Sequence, residues 1–348
     1  MRRPTAILAV SKVAMSTKLS VQSQPPAKVS GIHHVTAIAG DAQRNVDFYT
    51  GVLGMRMVKR TVNFDDPGTY HLYYGDELGS PGTILTFFPW PNASRGREGA
   101  GQINGVALAV PQASLGFWLT RFVTHGVEHS EIETKLGERL IGLRDPDGMR
   151  IEIVGSAEAT NIPGWDGGPV PSEHAVRGVH AVTIWTEERA ATVALLEGPL
   201  GMRRVAAEES VTRYAAAEGG TGALIDVRDV SGFWKGTLGA GTVHHVAWRV
   251  PDDDLELRML DTLRGAGFST TDVVDRKYFH SVYFREPGGT LFEIATDEPG
   301  FAIDESVARL GHSLVLPEWL EPERSRLEKA LPPLHTPEDN VASYLSRS

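Results

Sequence analysis

Cysteine is absent from the sequence. That excludes disulfides, thiolate-held metals and cysteine nucleophiles together, so any metal must be held by histidine, aspartate or glutamate. Also missing is any apolar run near the ~20 residues that a membrane-spanning helix needs, so no membrane association is expected. The opening MRRPTAILAVSKVAMSTKLS carries two arginines and a short apolar patch, Ala6 to Val10, which Ser11 and Lys12 interrupt. The patch is shorter than the ~7 to 15 residues of a signal-peptide core. Residues 1–29 therefore read as a disordered extension, Met15 as a second candidate start, and the location as cytoplasmic. A surplus of positive charge is lacking too. The formal net charge is −10, whereas a polyanion partner demands a basic face or stripe. The expected partner is a small molecule and not nucleic acid, and a homo-oligomer remains compatible with the composition.

What is present is one pattern repeated four times. The openings GIHHVTAIAG at Gly31, INGVALAVP at Ile103, GVHAVTIWT at Gly178 and TVHHVAWRVP at Thr242 each read as a first strand. Each is followed by a stretch with apolar residues near helical spacing, such as DAQRNVDFYTGVLGM or LELRMLDTLRGAGF, and then by short β-rich runs with turn punctuation. The unit is βαβββ and the fold class α+β. The expected organisation is module one at 30–92, module two at 102–157, a linker at 158–176, module three at 177–230 and module four at 241–297. A loop and one helix, 298–348, follow and are expected to fold over the opening of the site.

Aligning the first strands puts His33, Asn104, His180 and His244 in one column and His34, Gly105, Ala181 and His245 in the next. Only modules one and four carry the second histidine. On the closing strands Glu152 of module two and Glu293 of module four match, while Thr86 stands there in module one. Successive side chains of a regular strand point to opposite faces, so only one histidine of each doublet is expected to reach a metal. His34, His245 and Glu293 are that set, which requires modules one and four to pair and leaves modules two and three as a metal-free half. Two neutral imidazoles and one carboxylate with open positions are the donor set of non-haem Fe(II) oxygenases. Manganese is the other ion this set accommodates. Glu152 and the remaining histidines, His71 among them, read as structural or solvated residues.

These segments resemble the vicinal oxygen chelate superfamily, and within it ring-cleaving dioxygenases of the hydroquinone 1,2-dioxygenase type. The matching pieces are GIHHVTAIAGDAQRNVDFY, YHLYYGDELGSPGTILTFFPWP, DRKYFHSVYFREPGGTLFEIATDEPGF and LPEWLEP. The resemblance implies four such modules paired into two curved-sheet cups, with His34, His245 and Glu293 as iron ligands. It further implies catalytic roles beside the metal for His33, Thr36, His244, Arg276 and Tyr283, with Lys277 an alternative to Arg276. His33, His244 and Tyr283 are the expected proton donors and acceptors. The implied reaction opens hydroquinones or related aromatic diols with O2. Two other functions fit the fold: a glyoxalase-like isomerase or lyase, which would want a fourth protein ligand where Thr86 stands, and a metal-free protein that sequesters an aromatic compound.

Overall fold

The structure, a computed structural model, describes residues 27–336. The expected extension up to residue 26, Met15 and residues 337–348 lie outside the described residues. Val29 is already placed: it is buried and its backbone N–H donates to the Leu200 carbonyl.

Module one comprises β1 (Gly31–Ala39), α1 (Ala42–Val46), β2 (Arg56–Asn63), β3 (Asp66–Gly75) and β4 (Ile84–Pro89). Module two is β5 (Gln102–Pro111), α2 (Leu115–Thr124), β6 (His129–Lys135), β7 (Glu138–Arg144) and β8 (Arg150–Ser156). Module three is β9 (Gly178–Thr186), α3 (Arg189–Glu197), β10 (Arg203–Glu208), β11 (Val211–Ala215) and β12 (Leu224–Asp229). Module four is β13 (Thr242–Val250), α4 (Asp253–Gly265), β14 (Val274–Asp275), β15 (Phe279–Arg285) and β16 (Leu291–Pro299). The tail adds α5 (Arg324–Ala330). None of the described helices is long and apolar enough to cross a membrane.

Local sequence sets the helix starts. Asp41 accepts a hydrogen bond from the Arg44 N–H at the head of α1, and Asp252 accepts one from Leu255 at the head of α4. The helix of module one changes pitch midway: Asp47–Val52 continues α1 as a π-helix, which the apolar spacing alone did not signal.

Sixteen strands make two sheets of eight. One runs β14-β15-β16-β13-β1-β4-β3-β2, so modules one and four share it; the other, β10-β11-β12-β9-β5-β8-β7-β6, joins modules two and three. In each, the two first strands pair antiparallel at the centre. The larger core lies on the helix side, where Val35, Ala37 and Ala39 of β1 pack with Val46 and Tyr49. A smaller cluster fills the concave side of the first sheet and includes Tyr73, Tyr278, Phe279 and Ala247.

The tail packs along the first sheet. Phe301 and Leu310 join that inner cluster, while Leu327, Leu331 and Leu334 pack into the main core beside Tyr70. Lys59, fully buried, anchors it through Asp304 and Glu305 at 2.6 Å each. No described tail residue lines the open cavity, but Trp319 packs edge-on against its wall residue Phe64, and Arg60 of β2 and Tyr70 of β3 donate to the His312 and Pro332 carbonyls.

Candidate metal centre and cavity

All four residues of the first histidine column occupy irregular positions. The β1–β13 register shifts at His33 and again at His244, and the β5–β9 register shifts at Asn104 and at His180. A bulge inserts an unpaired residue and reverses the strand's phase, so Ile32 and Val35 both face the core across it. The recurrence of this column is thus a property of the fold. It also amends the strict alternation expected of the doublets, because neither strand is regular there.

The bulges bring both members of each doublet together. His33 Nδ1 lies 2.9 Å from His34 Nδ1, and His244 Nδ1 lies 2.8 Å from His245 Nδ1. The far nitrogens of the second members converge: His34 Nε2 and His245 Nε2 are 3.3 Å apart. Glu293, opposite Ala247 on β16, places Oε2 at 2.9 Å from His245 Nε2 and 3.4 Å from His34 Nε2. All three side chains are buried, and their donor atoms lie within 4.8 Å of one another. Oε2 nevertheless has no hydrogen-bond partner among the described residues. A buried carboxylate oxygen facing two nitrogen lone pairs is costly without a cation, and a divalent ion satisfies all three at once. Without an ion, burial pushes Glu293 up, but imidazole N–H groups turned toward Oε2 outweigh it and hold the carboxylate well below its usual range.

With both Nε2 atoms turned to that point as acceptors, the remaining proton of each ring sits on Nδ1. His34 then donates to His33, and His245 donates to His244. Glu293 Oε1 accepts from the hydroxyl of Ser281, a buried neighbour on β15. Ser281 did not figure among the residues expected from sequence.

His34 and His245 line a cavity of about 420 Å³, and Glu293 lies buried beside them. Phe88, Trp90, Phe279 and Phe64 supply flat apolar walls. Thr36, His244, Arg276 and Tyr283 line it too. His33 does not: it is 2 % exposed, packs against Phe279 behind His34, and touches the cavity only through that ring. His33 thus reaches the cavity region only behind His34, whose Nδ1 lies 2.9 Å from its own Nδ1. Lys277 turns away to pair with Asp304 at 2.6 Å, which leaves Arg276 as the cavity's cation.

Arg276 Nε donates to the Tyr283 hydroxyl at 3.1 Å, and its guanidinium also pairs with Asp65. Burial, with the Glu293 charge added, drives the Tyr283 phenol far above its ordinary range. It stays protonated and acts as a donor. His244 is lowered to about 3 by burial and by His245, so it is a neutral ring at pH 7. Burial likewise keeps His33, His71 and His245 below the ordinary histidine value.

A further chain reaches Thr36. Burial holds the Tyr73 phenol protonated, so it donates to His71 Nδ1 at 2.8 Å. His71 Nε2 then carries its proton toward Thr86 Oγ1 at 2.8 Å, and Thr86 donates to Thr36 Oγ1 at 2.9 Å. The Thr36 hydroxyl proton is left free for the cavity. His71, read from sequence as structural, is a cavity residue, and β3 delivers it together with Tyr73.

The second cup answers to the same columns with different chemistry. Gly105 and Ala181 replace the ligand histidines. Glu152 faces Ala107 and Asp226 faces Thr183, the places held by Glu293 and Thr86 in the first cup. Asp226 stands on the closing strand of module three, where the first strand lacks the second histidine that would mark it in the sequence. Arg213 grips Asp226 at 2.7 Å and also pairs with Glu138; Lys135 takes Glu152 at 2.5 Å. Side-chain cations neutralise there what a metal can neutralise in the first cup.

The glyoxalase/bleomycin resistance protein/dioxygenase superfamily model matches residues 31–153 and 178–294. A Bacillus subtilis (strain 168) protein provisionally named ring-cleaving dioxygenase MhqO is 45% identical over 311 residues, covering 89% of this chain and 98% of that protein. The chlorohydroquinone/hydroquinone 1,2-dioxygenase of Sphingobium indicum is 35% identical over 318 residues, covering 88% of this chain and 98% of that enzyme. A crystal structure titled as a dioxygenase from Bacillus subtilis superposes with a TM-score of 0.84 at 44% identity, covering 88% of this chain and 98% of that one. With paired βαβββ modules, a two-histidine, one-glutamate cup and relatives matched over almost their whole length, the chain belongs to the glyoxalase/bleomycin resistance protein/dioxygenase superfamily.

Proposed function

We propose that the protein is an Fe(II)-dependent, extradiol-type dioxygenase that opens hydroquinones or related aromatic diols with O2, with His34, His245 and Glu293 holding the iron. The observation that carries the reading is the convergence of those three donors, one a buried carboxylate oxygen without a partner, with both histidines lining a cavity walled by aromatic rings. The relatives named for ring cleavage and for hydroquinone support the reaction and the substrate class. Three protein donors leave open positions, and iron bound there supplies a Lewis acid and an electron path between an aromatic diol and O2.

The chain's own residues do the rest. Phe88, Trp90 and Phe279 sandwich a flat ring and exclude water around it. Tyr283, kept protonated and oriented by Arg276, offers its O–H to an oxygen of the substrate as charge develops there. His244 presents a neutral ring to the cavity, with its proton held on Nε2 when Nδ1 accepts from His245. It is placed to exchange a proton with the substrate hydroxyl nearest the histidines. Thr36, opposite His245 in the β1–β13 register, donates from beside the two histidines. The Thr86 hydroxyl is engaged by Thr36 and His71, so module one offers no fourth carboxylate, which favours oxygen chemistry over the isomerase alternative.

Anaerobically Fe(II)-loaded protein is expected to consume oxygen with hydroquinone and methylhydroquinone and to form a ring-opened chromophore. Glu293→Ala is expected to abolish both. Metal binding without oxygen uptake on any diol would overturn the dioxygenase reading.

A further inference from the structure

Among the described residues there is one other place where three metal-capable side chains meet. Asp253 and Glu256 belong to the first turn of α4, and His280 belongs to β15, against which that helix packs. Their donor atoms lie within 4.8 Å of one another, and His280 Nδ1 is 2.7 Å from Asp253 Oδ1. His280 stands on the helix side of the strand, away from cavity-lining Phe279 and Tyr283, so this cluster is separate from the donor set around Glu293.

The informative member is Glu256. It is only 1% exposed, yet neither of its carboxylate oxygens has a hydrogen-bond partner among the described residues. Buried carboxylates are ordinarily paired, hydrogen-bonded or bound to a cation, because desolvating the charge alone costs several kcal/mol. The usual rescue at a helix start is weakened here, since Asp253 and Asp254 share the same turn and add like charge. Burial raises the Glu256 carboxyl to about 7, against the opposing pull of His280. The group therefore stands close to ionisation at neutral pH, where an added cation decides its state.

We propose that Asp253, Glu256 and His280 form a second divalent-cation site, which takes a first-row transition ion such as Zn(II) through one imidazole and two carboxylates. The imidazole selects against calcium and magnesium, which prefer oxygen donors throughout. Asp253 and His280 reach solvent, so water completes the coordination on the open side. The bound ion ties the head of α4 to β15, the strand that carries Ser281 and Tyr283 to the cavity. The inference does not depend on what the Glu293 site catalyses.

The test uses full-length, metal-stripped protein titrated with Zn(II), then desalted and assayed for bound metal, with unfolding temperature read in parallel. Glu256→Gln keeps the side-chain shape and removes the charge; His280→Gln is the second variant. In the Glu293→Ala background, which removes the first site, zinc is expected to bind and raise the unfolding temperature. Adding Glu256→Gln or His280→Gln to that background is expected to remove both responses, and calcium is expected to elicit neither. Glu256→Gln alone is expected to keep ring-opening activity while binding one equivalent less zinc than wild type. Failure of the Glu293→Ala protein to bind zinc, or zinc uptake undiminished by Glu256→Gln and His280→Gln, would overturn the proposal.

Discussion

Ser281→Ala isolates the orientation of one ligand without touching the ligand. Ser281 is buried, and its hydroxyl donates to Glu293 Oε1, which leaves Oε2 directed at the two imidazoles. Alanine removes the donor and strands Oε1 in a space too apolar to replace it. A hydrogen bond to a charged group contributes ~1.5 to 3 kcal/mol. Removing an outer partner of a metal ligand weakens metal binding or activity ~10- to 100-fold, which at ~1.4 kcal/mol per tenfold is the same energy. Part of that loss falls on the metal-free protein, because Oε1 is then unsatisfied whether or not an ion is present. The assay is anaerobic competition for Fe(II) and Mn(II) against a fluorescent chelator, with urea unfolding of the metal-free protein alongside. The sum of the two losses is expected near ~2 kcal/mol, and Ser281→Thr, which keeps the hydroxyl, is expected to recover most of it. Wild-type affinity together with wild-type stability in the alanine variant would refute the reasoning.

Tyr283→Phe removes the cavity donor that Arg276 orients and is expected to lower kcat ~100-fold with KM little changed; a change confined to KM would reassign Tyr283 to binding. Metal-free protein is expected to lose stability as pH falls below ~6.5. Burial keeps His33, His71, His244 and His245 neutral in the fold, with His244 titrating at about 3, whereas the unfolded chain takes up those protons. Their contribution is complete above the unfolded value and drains away below it, so His71→Asn should flatten the fall in unfolding temperature between about pH 7 and 5; an unchanged slope would count against this account. Lys59→Met leaves Asp304 and Glu305 facing each other with only Lys277 in reach and is expected to cost ~3 kcal/mol in urea unfolding.

The four modules were legible because one strand motif recurs, and the structure supplies its cause: the first column marks the bulge of every central strand. The pairing of modules one and four was legible because only those two carry the second histidine. Other features required the curvature of the sheet. Periodicity tells which residues share a face but not which strands a cup brings opposite one another, so His71 and Tyr73 of β3 could not be set against Thr36 of β1. Ser281 is an ordinary small residue until its distance to Glu293 is known. The tail reads from sequence as a loop and one helix, and the surface that Leu327, Leu331 and Leu334 bury against is not set by that pattern.

The antiparallel pairing of β1 with β13 also imposes an order on biosynthesis. His34 leaves the ribosome early, while the strand that must lie beside it and the residue that completes the donor set belong to the last module. At ~5 to 20 residues per second the wait is on the order of tens of seconds. During that time modules two and three can close into their own cup, since β5 and β9 are already available to each other. Long-range strand pairing is slow to form, so the first cup is the later event of the two. A nascent or prematurely terminated chain thus displays a neutralised, finished half and an incomplete half-site, and the three-donor set is assembled only when synthesis is nearly done.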